Sequence, residues 1–350
     1  MGGALIARGR CGPHSRTGGS SAPSLHFSCR KESSVTAEPA ASVVIPTRGG
    51  RARLHFPLDA LRNQTRSDFE VIVVIDGDID DTLTLVQQYQ ADGFETLRVH
   101  RFEENQGRSR ALNQGIEMAR GRVIIRCDDD LEPRPDFVDR HIHAHRGRDL
   151  SAVVGLTTNI FPDGAYAQAY GRPANDAFIA EARRSSPDTH WKFWAANCSA
   201  TRAAYQRVGG YDEAYRRYGW EDVDMGYRLA ASGMSVRIDP SLTAKHHGPA
   251  LTAEGRTLRS LHSGAAREIF VLTHGGEALG PPHKPGGPWG WAVRSLATVM
   301  TEPVARAVSR LVDRLLPVLP ATLGRKLVAL CVEAAGLSGI RHPGRARTTF

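Results

Sequence analysis

Three consecutive carboxylates, Asp128-Asp129-Asp130, follow the β-forming run Arg122-Val123-Ile124-Ile125-Arg126-Cys127. They should emerge together at the C-terminal end of a buried strand, where open α/β sheets bind ligands. Carboxylates crowded into one turn repel one another and resist desolvation, and a divalent cation held by oxygen ligands is the simplest way to stabilise them. The chemistry this suggests is the grip on a metal-bound diphosphate. A solvated acidic turn opening a helix is the plainer reading, because Asp is common at N-caps.

The elements around the triplet alternate. Ser42-Val43-Val44-Ile45-Pro46-Thr47 reads as a short buried strand, followed by a helix over Arg53–Gln64. Phe69–Ile75 is a second strand closing on Asp76-Gly77-Asp78, and Leu83, Leu85, Val86 and Tyr89 mark a helix over Asp81–Tyr89. A strand over Thr96–His100, a helix over Gly107–Ala119 and the strand into the triplet complete the series. Such alternation implies a mainly parallel sheet with helices on both faces. Neither a G-x-G-x-x-G dinucleotide fingerprint nor a P-loop is present; Pro46-Thr47-Arg48-Gly49-Gly50 follows the first strand instead.

The 350 residues carry a net charge of +8, unevenly placed. Five basic and two acidic residues lie up to Ala40, and thirteen and six after Ala250, so the tails hold +3 and +7 and the centre −2. No nucleic-acid-binding signature accompanies the basic ends, which argues against a nucleic-acid partner. The five cysteines are odd in number and without Cys-x-x-Cys spacing, which points to a reducing compartment and excludes a structural zinc framework. Residues 1–40, rich in Gly, Ser, Arg and Pro, read as a disordered basic leader with no signal-peptide core. No apolar run approaches the ~18 residues that span a bilayer. The expected location is the cytoplasm, or a peripheral position at the inner face of the cell membrane.

Ser42–Thr47, Val73-Val74-Ile75-Asp76-Gly77-Asp78-Ile79-Asp80-Asp81-Thr82, Asn105-Gln106-Gly107-Arg108-Ser109-Arg110-Ala111-Leu112-Asn113-Gln114-Gly115 and Gly121–Asp130 together resemble the family 2 glycosyltransferases. These enzymes have the GT-A fold and move a sugar from a nucleotide donor. Farther on, Asn197–Arg202, Val208–Glu213 and Tyr218-Gly219-Trp220-Glu221-Asp222-Val223-Asp224 resemble the acceptor side, with a galactosyltransferase-like G-W-E-D. The likeness covers Ala41–Gly248. Ile75, Asp78 and Leu112 depart from the family's usual Asp, Ser and Arg, which bears on the base or sugar bound and not on the reaction class.

By this resemblance residues 41–250 form the catalytic domain, with 41–130 the donor half and 131–250 the acceptor half. Pro46, Thr47, Arg48 and Asp76 line the nucleotide pocket, although Asp76 before Gly77 is equally a turn-former. Gly107 and Arg108 open a helix whose N-terminus faces phosphate oxygens. Asp128 and Asp129 belong to the donor site, and Asp128 and Asp130 hold Mn²⁺ or Mg²⁺ with a histidine from Ala244-Lys245-His246-His247-Gly248, either His246 or His247. Asp222, beside Glu221, is the implied base; at a helix N-terminus it should remain ionised at neutral pH. The same two carboxylates are also ordinary helix caps. Trp191, Trp194 and Trp220 are candidates for a sugar-stacking platform or for the core.

The activity so implied is inverting, metal-dependent transfer from a nucleoside diphosphate sugar, a UDP-sugar being the first expectation, to a hydroxyl of a saccharide, a lipid-linked acceptor or a natural product. Cell-envelope polysaccharide synthesis is a fitting setting. Sugar-phosphate nucleotidyl transfer and non-catalytic sugar-nucleotide or membrane binding are the rival readings.

Residues 251–350 should form a basic helical extension, joined through a Gly- and Pro-rich linker over Gly275–Gly290. Val304, Val308, Leu311, Val312 and Leu315 share one helical face and Arg306, Arg310 and Arg314 another, before Pro317 and Pro320 end the helix. A second helix is expected over Leu323–Ala335. Either the pair packs on the catalytic domain with its arginines in water, or it makes peripheral contact with an anionic membrane.

Overall fold

In a computed structural model of the chain, which describes residues 38–216, 219–280 and 286–346, the first half winds as the alternation predicts. β1 (Ala41–Thr47), α1 (His55–Arg62), β2 (Phe69–Asp76), α2 (Thr82–Ala91), β3 (Leu97–Phe102), α3 (Arg108–Met118) and β4 (Val123–Cys127) follow in order. β1 and β2 are buried along their whole lengths, as strands covered on both faces must be. Next come β5 (Leu131–Glu132), α4 (Phe137–Ala144), β6 (Ala152–Val154), β7 (Thr157–Asn159), α5 (Arg172–Arg184), β8 (Asn197–Thr201), α6 (Arg202–Val208), α7 (Trp220–Ala231), β9 (Val236–Ile238) and β10 (Ala244–His246).

Seven strands form the main sheet in the order β3-β2-β1-β4-β8-β6-β9. β1 to β4 are mutually parallel, β8 runs antiparallel to both β4 and β6, and β9 is parallel to β6. The mainly parallel sheet expected from sequence is therefore present, with β8 as an antiparallel strand within it. One core lies on each face: Val43, Ile45, Val71, Ile125 and Phe137 on one side, and Val44, Ile124, Trp194, Tyr205 and Met225 on the other. β5, β10 and β7 form a small second sheet that holds the chain after β10 against the acidic turn.

Four further helices end the chain: α8 (Ala253–His274), α9 (Gly287–Val299), α10 (Glu302–Leu315) and α11 (Ala321–Arg341). α8 and α11 meet through small residues; a Cβ at Gly264 would lie 2.3 Å from the Gly336 carbonyl oxygen, and one at Gly339 would lie 2.2 Å from that of Leu261. From Glu38 on the chain is one compact unit, so Ala250 marks a change of architecture and not a break. Within the expected linker Gly275–Gly290, Glu277–Leu279 make a 3₁₀ turn and α9 begins at Gly287; residues 281–285, like 1–37 of the expected leader, lie outside the described residues. Among the described residues no helix is long and apolar enough to cross a membrane.

Candidate active site

At the C-terminal ends of β1, β2 and β4 a cleft of about 330 Å³ opens, lined by Pro46, Thr47, Arg48, Asp76, Arg108, the whole of Asp128-Asp129-Asp130, Glu221 and Gly248. Residues far apart in the chain meet here because parallel strands deliver their following loops to one edge.

The three acidic residues have different surroundings. Asp128 is held from below by Arg126, whose Nε and Nη2 donate to its two oxygens at 2.8 and 3.2 Å, while Arg108 Nη1 stands 3.5 Å away. Burial alone would raise the Asp128 carboxyl, but Arg126 and Arg108 outweigh it and hold the group below its ordinary value. Asp129 accepts from Thr47 Oγ1 at 2.6 Å and from Arg53 Nη2 at 3.0 Å, tying the end of β1 to the acidic turn. Burial nonetheless pushes its carboxyl above the usual range. Asp130 Oδ2 lies 3.3 Å from His246 Nε2, whereas its buried Oδ1 has no hydrogen-bond partner among the described residues. Gly248 packs against that carboxylate: a Cβ there would come within 1.9 Å of Asp130 Oδ2 and displace it.

β10 separates the two histidines. His246 turns Nδ1 to Asn159 Oδ1 at 2.6 Å, which leaves Nε2 facing Asp130. His247 stacks on Phe56 with ring centroids 3.7 Å apart and bonds Glu132 through Nε2 at 2.7 Å. His247 is thus engaged by Glu132 and Phe56, and of the two expected histidines it is His246 that faces Asp130. Asp128 also fits poorly as a direct ligand, because Arg126 already occupies both of its oxygens. Among the described residues no three His, Cys, Asp or Glu side chains converge on one point. Asp130 with its unpartnered oxygen, and His246, do fit a cation that takes its remaining ligands from phosphate and water, the usual habit of Mg²⁺.

Asp76 Oδ1 and Oδ2 accept the N–H groups of Gln106 and Gly107 at 2.6 and 2.9 Å, ordering the loop that opens α3. Gly107 takes φ 92°, a conformation that favours glycine, and its Cα packs on the Arg216 guanidinium. Arg216 in turn donates to the Gln106 carbonyl. Asn113 of α3 pairs with both backbone groups of Tyr211, accepting at 2.7 Å and donating at 2.9 Å, and so fastens the donor-side helix to the acceptor-side loop.

Arg126, which sequence reasoning passed over as one more strand residue, is the centre of the site. Only 2% of its side chain is exposed; besides Asp128 it pairs with Asp222, and it lies 5.8 Å from the Tyr211 ring centroid. The signal was present in Val123-Ile124-Ile125-Arg126-Cys127: a lone charge in a buried strand needs partners, and two residues before Asp128 it shares that residue's face. Asp222 lies in the first turn of α7 with 12% of its side chain exposed, behind Glu221. Burial pushes its carboxyl up to about 7, reinforced by Glu221 and Asp128 and opposed by Arg126 and Arg108. Burial therefore works against the ionisation expected from the helix dipole. Glu221 turns back to accept the Gly219 N–H at 2.9 Å, a helix-capping contact.

The tryptophans belong to the core. Trp194 is 1% exposed and donates to the Tyr211 hydroxyl at 3.0 Å; Trp191 is buried against Tyr227 and Phe270, and Trp220 packs on Phe270. α7 packs closely on this cluster: a Cβ on Gly226 would lie 2.2 Å from the Trp191 carbonyl oxygen.

Residues 42–208 match glycosyl transferase family 2, and residues 178–247 match the N-terminal domain of galactosyltransferase. An uncharacterized glycosyltransferase of Bacillus subtilis is 28% identical over 59% of this chain, and a validoxylamine A glucosyltransferase of Streptomyces hygroscopicus 30% identical over 57%. The chain spans 64% and 53% of those relatives' own lengths. In fold it is similar to a mannosyltransferase of Pyrobaculum calidifontis solved with GDP-Man and Mn²⁺, at a TM-score of 0.58 and 18% identity, over 88% of this chain and 89% of the other.

Proposed function

The chain belongs to the family 2 glycosyltransferases, and from that premise we propose that its cleft transfers a sugar from a nucleoside diphosphate donor to a hydroxyl acceptor with a divalent cation and inversion at the anomeric carbon. The observation that carries this reading is Arg126, one buried guanidinium joining Asp128 of the acidic turn to Asp222 of α7. Donor-side and acceptor-side carboxylates thereby share one site.

Residues 41–130 supply the donor side and 131–250 the acceptor side. Pro46, Thr47 and Arg48 border the nucleotide, and Asp76 keeps the Gln106–Gly107 loop in place beneath it. Arg108, on the first turn of α3, faces the diphosphate with the amides of that helix end. Asp130 and His246 would hold the cation. When bound, Mn²⁺ or Mg²⁺ there offsets the negative charge that gathers on the departing diphosphate. Asp222 accepts the acceptor's hydroxyl proton as the new carbon–oxygen bond forms and the bond to the diphosphate oxygen breaks. A carboxyl raised to about 7 is a stronger base than an ordinary one and still ionises near neutrality. Glu221, which lines the cleft, caps α7, and Asp222 lies just behind it against Arg126. A base on the face opposite the leaving group produces inversion.

UDP-sugars are the first donors to test and GDP-sugars the second; the acceptor is a saccharide or a lipid-linked saccharide. Cys127, Cys198 and Cys331 are free and buried, in keeping with action in the reducing cytoplasm. A panel of sugar nucleotides with Mn²⁺ tests the proposal. Transfer, lost in Asp222→Asn while donor binding persists, supports it; pyrophosphate release from a nucleoside triphosphate and a sugar phosphate would instead mark a nucleotidyltransferase, and donor binding without turnover a binding module.

A further inference from the structure

The turn between α10 and α11 carries side chains that the proposed reaction leaves unused. Leu311, Leu315, Val318 and Leu323 are exposed there by 55, 38, 78 and 45%. Leu311 and Leu315 stand one helical turn apart, Val318 ends the 3₁₀ turn after α10, and Leu323 lies in the first turn of α11. Four exposed aliphatic side chains on one tip are a cost to a surface that meets only water.

The same stretch is cationic. Arg314, Arg325 and Lys326 are exposed, and among the described residues none of them makes an ion pair, whereas Arg310 is paired with Glu254. Asp313, the one carboxylate between Arg310 and Lys326, is turned inward, accepting the N–H groups of Ala253 and Glu254 at 2.7 and 3.1 Å. What faces outward is therefore aliphatic and positive. A nucleic acid would answer the charge but leave the leucines and valine in water. An anionic lipid surface answers both, taking the aliphatic groups among its acyl chains and the cations among its headgroups.

We propose that the α10–α11 turn docks the protein on an anionic phospholipid surface, lying on it without crossing it. The absence of a spanning helix among the described residues agrees with that mode. Asp313 fastens the turn to the start of α8, which follows shortly after Gly248 of the cleft lining. That acceptors in the same surface reach the cleft rests on the glycosyl-transfer reading; the docking itself does not.

The full chain is mixed with vesicles of phosphatidylcholine containing phosphatidylglycerol, or of phosphatidylcholine alone, and sedimented. Wild type should partition on the order of a hundredfold more strongly onto the anionic vesicles, and added salt should release it. Replacing Arg314, Arg325 and Lys326 by Gln should weaken partitioning on the order of a hundredfold, at roughly fivefold per cation. Val318→Ser with Leu323→Ser should weaken it by about tenfold at an unchanged melting temperature. Arg183→Gln with Arg184→Gln, exposed at the end of α5, should change nothing. Wild type left in the supernatant, equal binding to phosphatidylcholine alone, or α10–α11 variants that bind like wild type each overturn the proposal. Transfer to a soluble acceptor, measured on the same variants, reports separately on the reaction.

Discussion

Charge is handled in opposite ways at the two ends of this molecule. Around the cleft it lies inside the fold: Arg126 is paired with Asp128 and with Asp222 where water hardly reaches, and Asp129, itself largely buried, is met by the half-exposed Arg53. In the helical extension it lies mostly outside, the buried His262 and Glu302 being the exception, while the interior of the α8–α11 pair is built from Gly264, Ala265, Ala335 and Gly339 so that backbones can touch. Burying ions costs several kcal/mol per ion unless each is paired, so a fold that does so repeatedly at one edge retains those ions for more than stability. The extension, held by backbone proximity and apolar contact, is free to spend its surface charge on a partner.

Substitutions can break or sharpen this contrast. Asp222→Asn should lower turnover by about 10² to 10⁴-fold with donor affinity kept, as measured by single-turnover kinetics beside donor titration. Arg126→Met leaves two buried carboxylates without their shared cation and should cost about 3–5 kcal/mol in denaturant unfolding. Val at Gly339, on the other side of the comparison, drives a Cβ into the Leu261 carbonyl and should cost about 1–3 kcal/mol. His246→Ala should weaken Mn²⁺ binding by about 10 to 100-fold in calorimetric titration, whereas His247→Ala should leave it nearly unchanged. Arg310→Gln removes only a surface pair with Glu254 and should shift stability by about 0.2–1 kcal/mol. A large effect from that last change would blur the distinction between the two regions.

The donor half was legible because its order is local. β1 and β2 are apolar runs that end on Thr47 and Asp76, β4 runs directly into Asp128, and each of these residues inherits its place from the strand before it. The strand β8 was hidden by its composition: Asn-Cys-Ser-Ala-Thr is buried throughout only because tertiary partners such as His141 and His145 satisfy Asn197 and Ser199. The choice between His246 and His247 depends on β10 pairing with β5 and β7, a register between strands two or three residues long. α8 escaped notice because Gly255 and Gly264 interrupt its helical pattern, although Gly264 is what lets α11 approach. Arg126 was readable in principle, but its partner Asp222 lies almost a hundred residues away, and no local pattern joins the two.

The dependence of kcat/KM on pH tests most directly whether Asp222 takes the proton. It is faced by Arg126 from β4, by Glu221 on its own helix, and by Asp128 and Arg108 across the cleft, with burial the dominant influence and a resulting value of about 7. Only the ionised carboxylate accepts a proton, so the rate should fall about tenfold for each pH unit below that value and level off above it. A profile that stays flat from about pH 8 down to pH 5 would contradict the account.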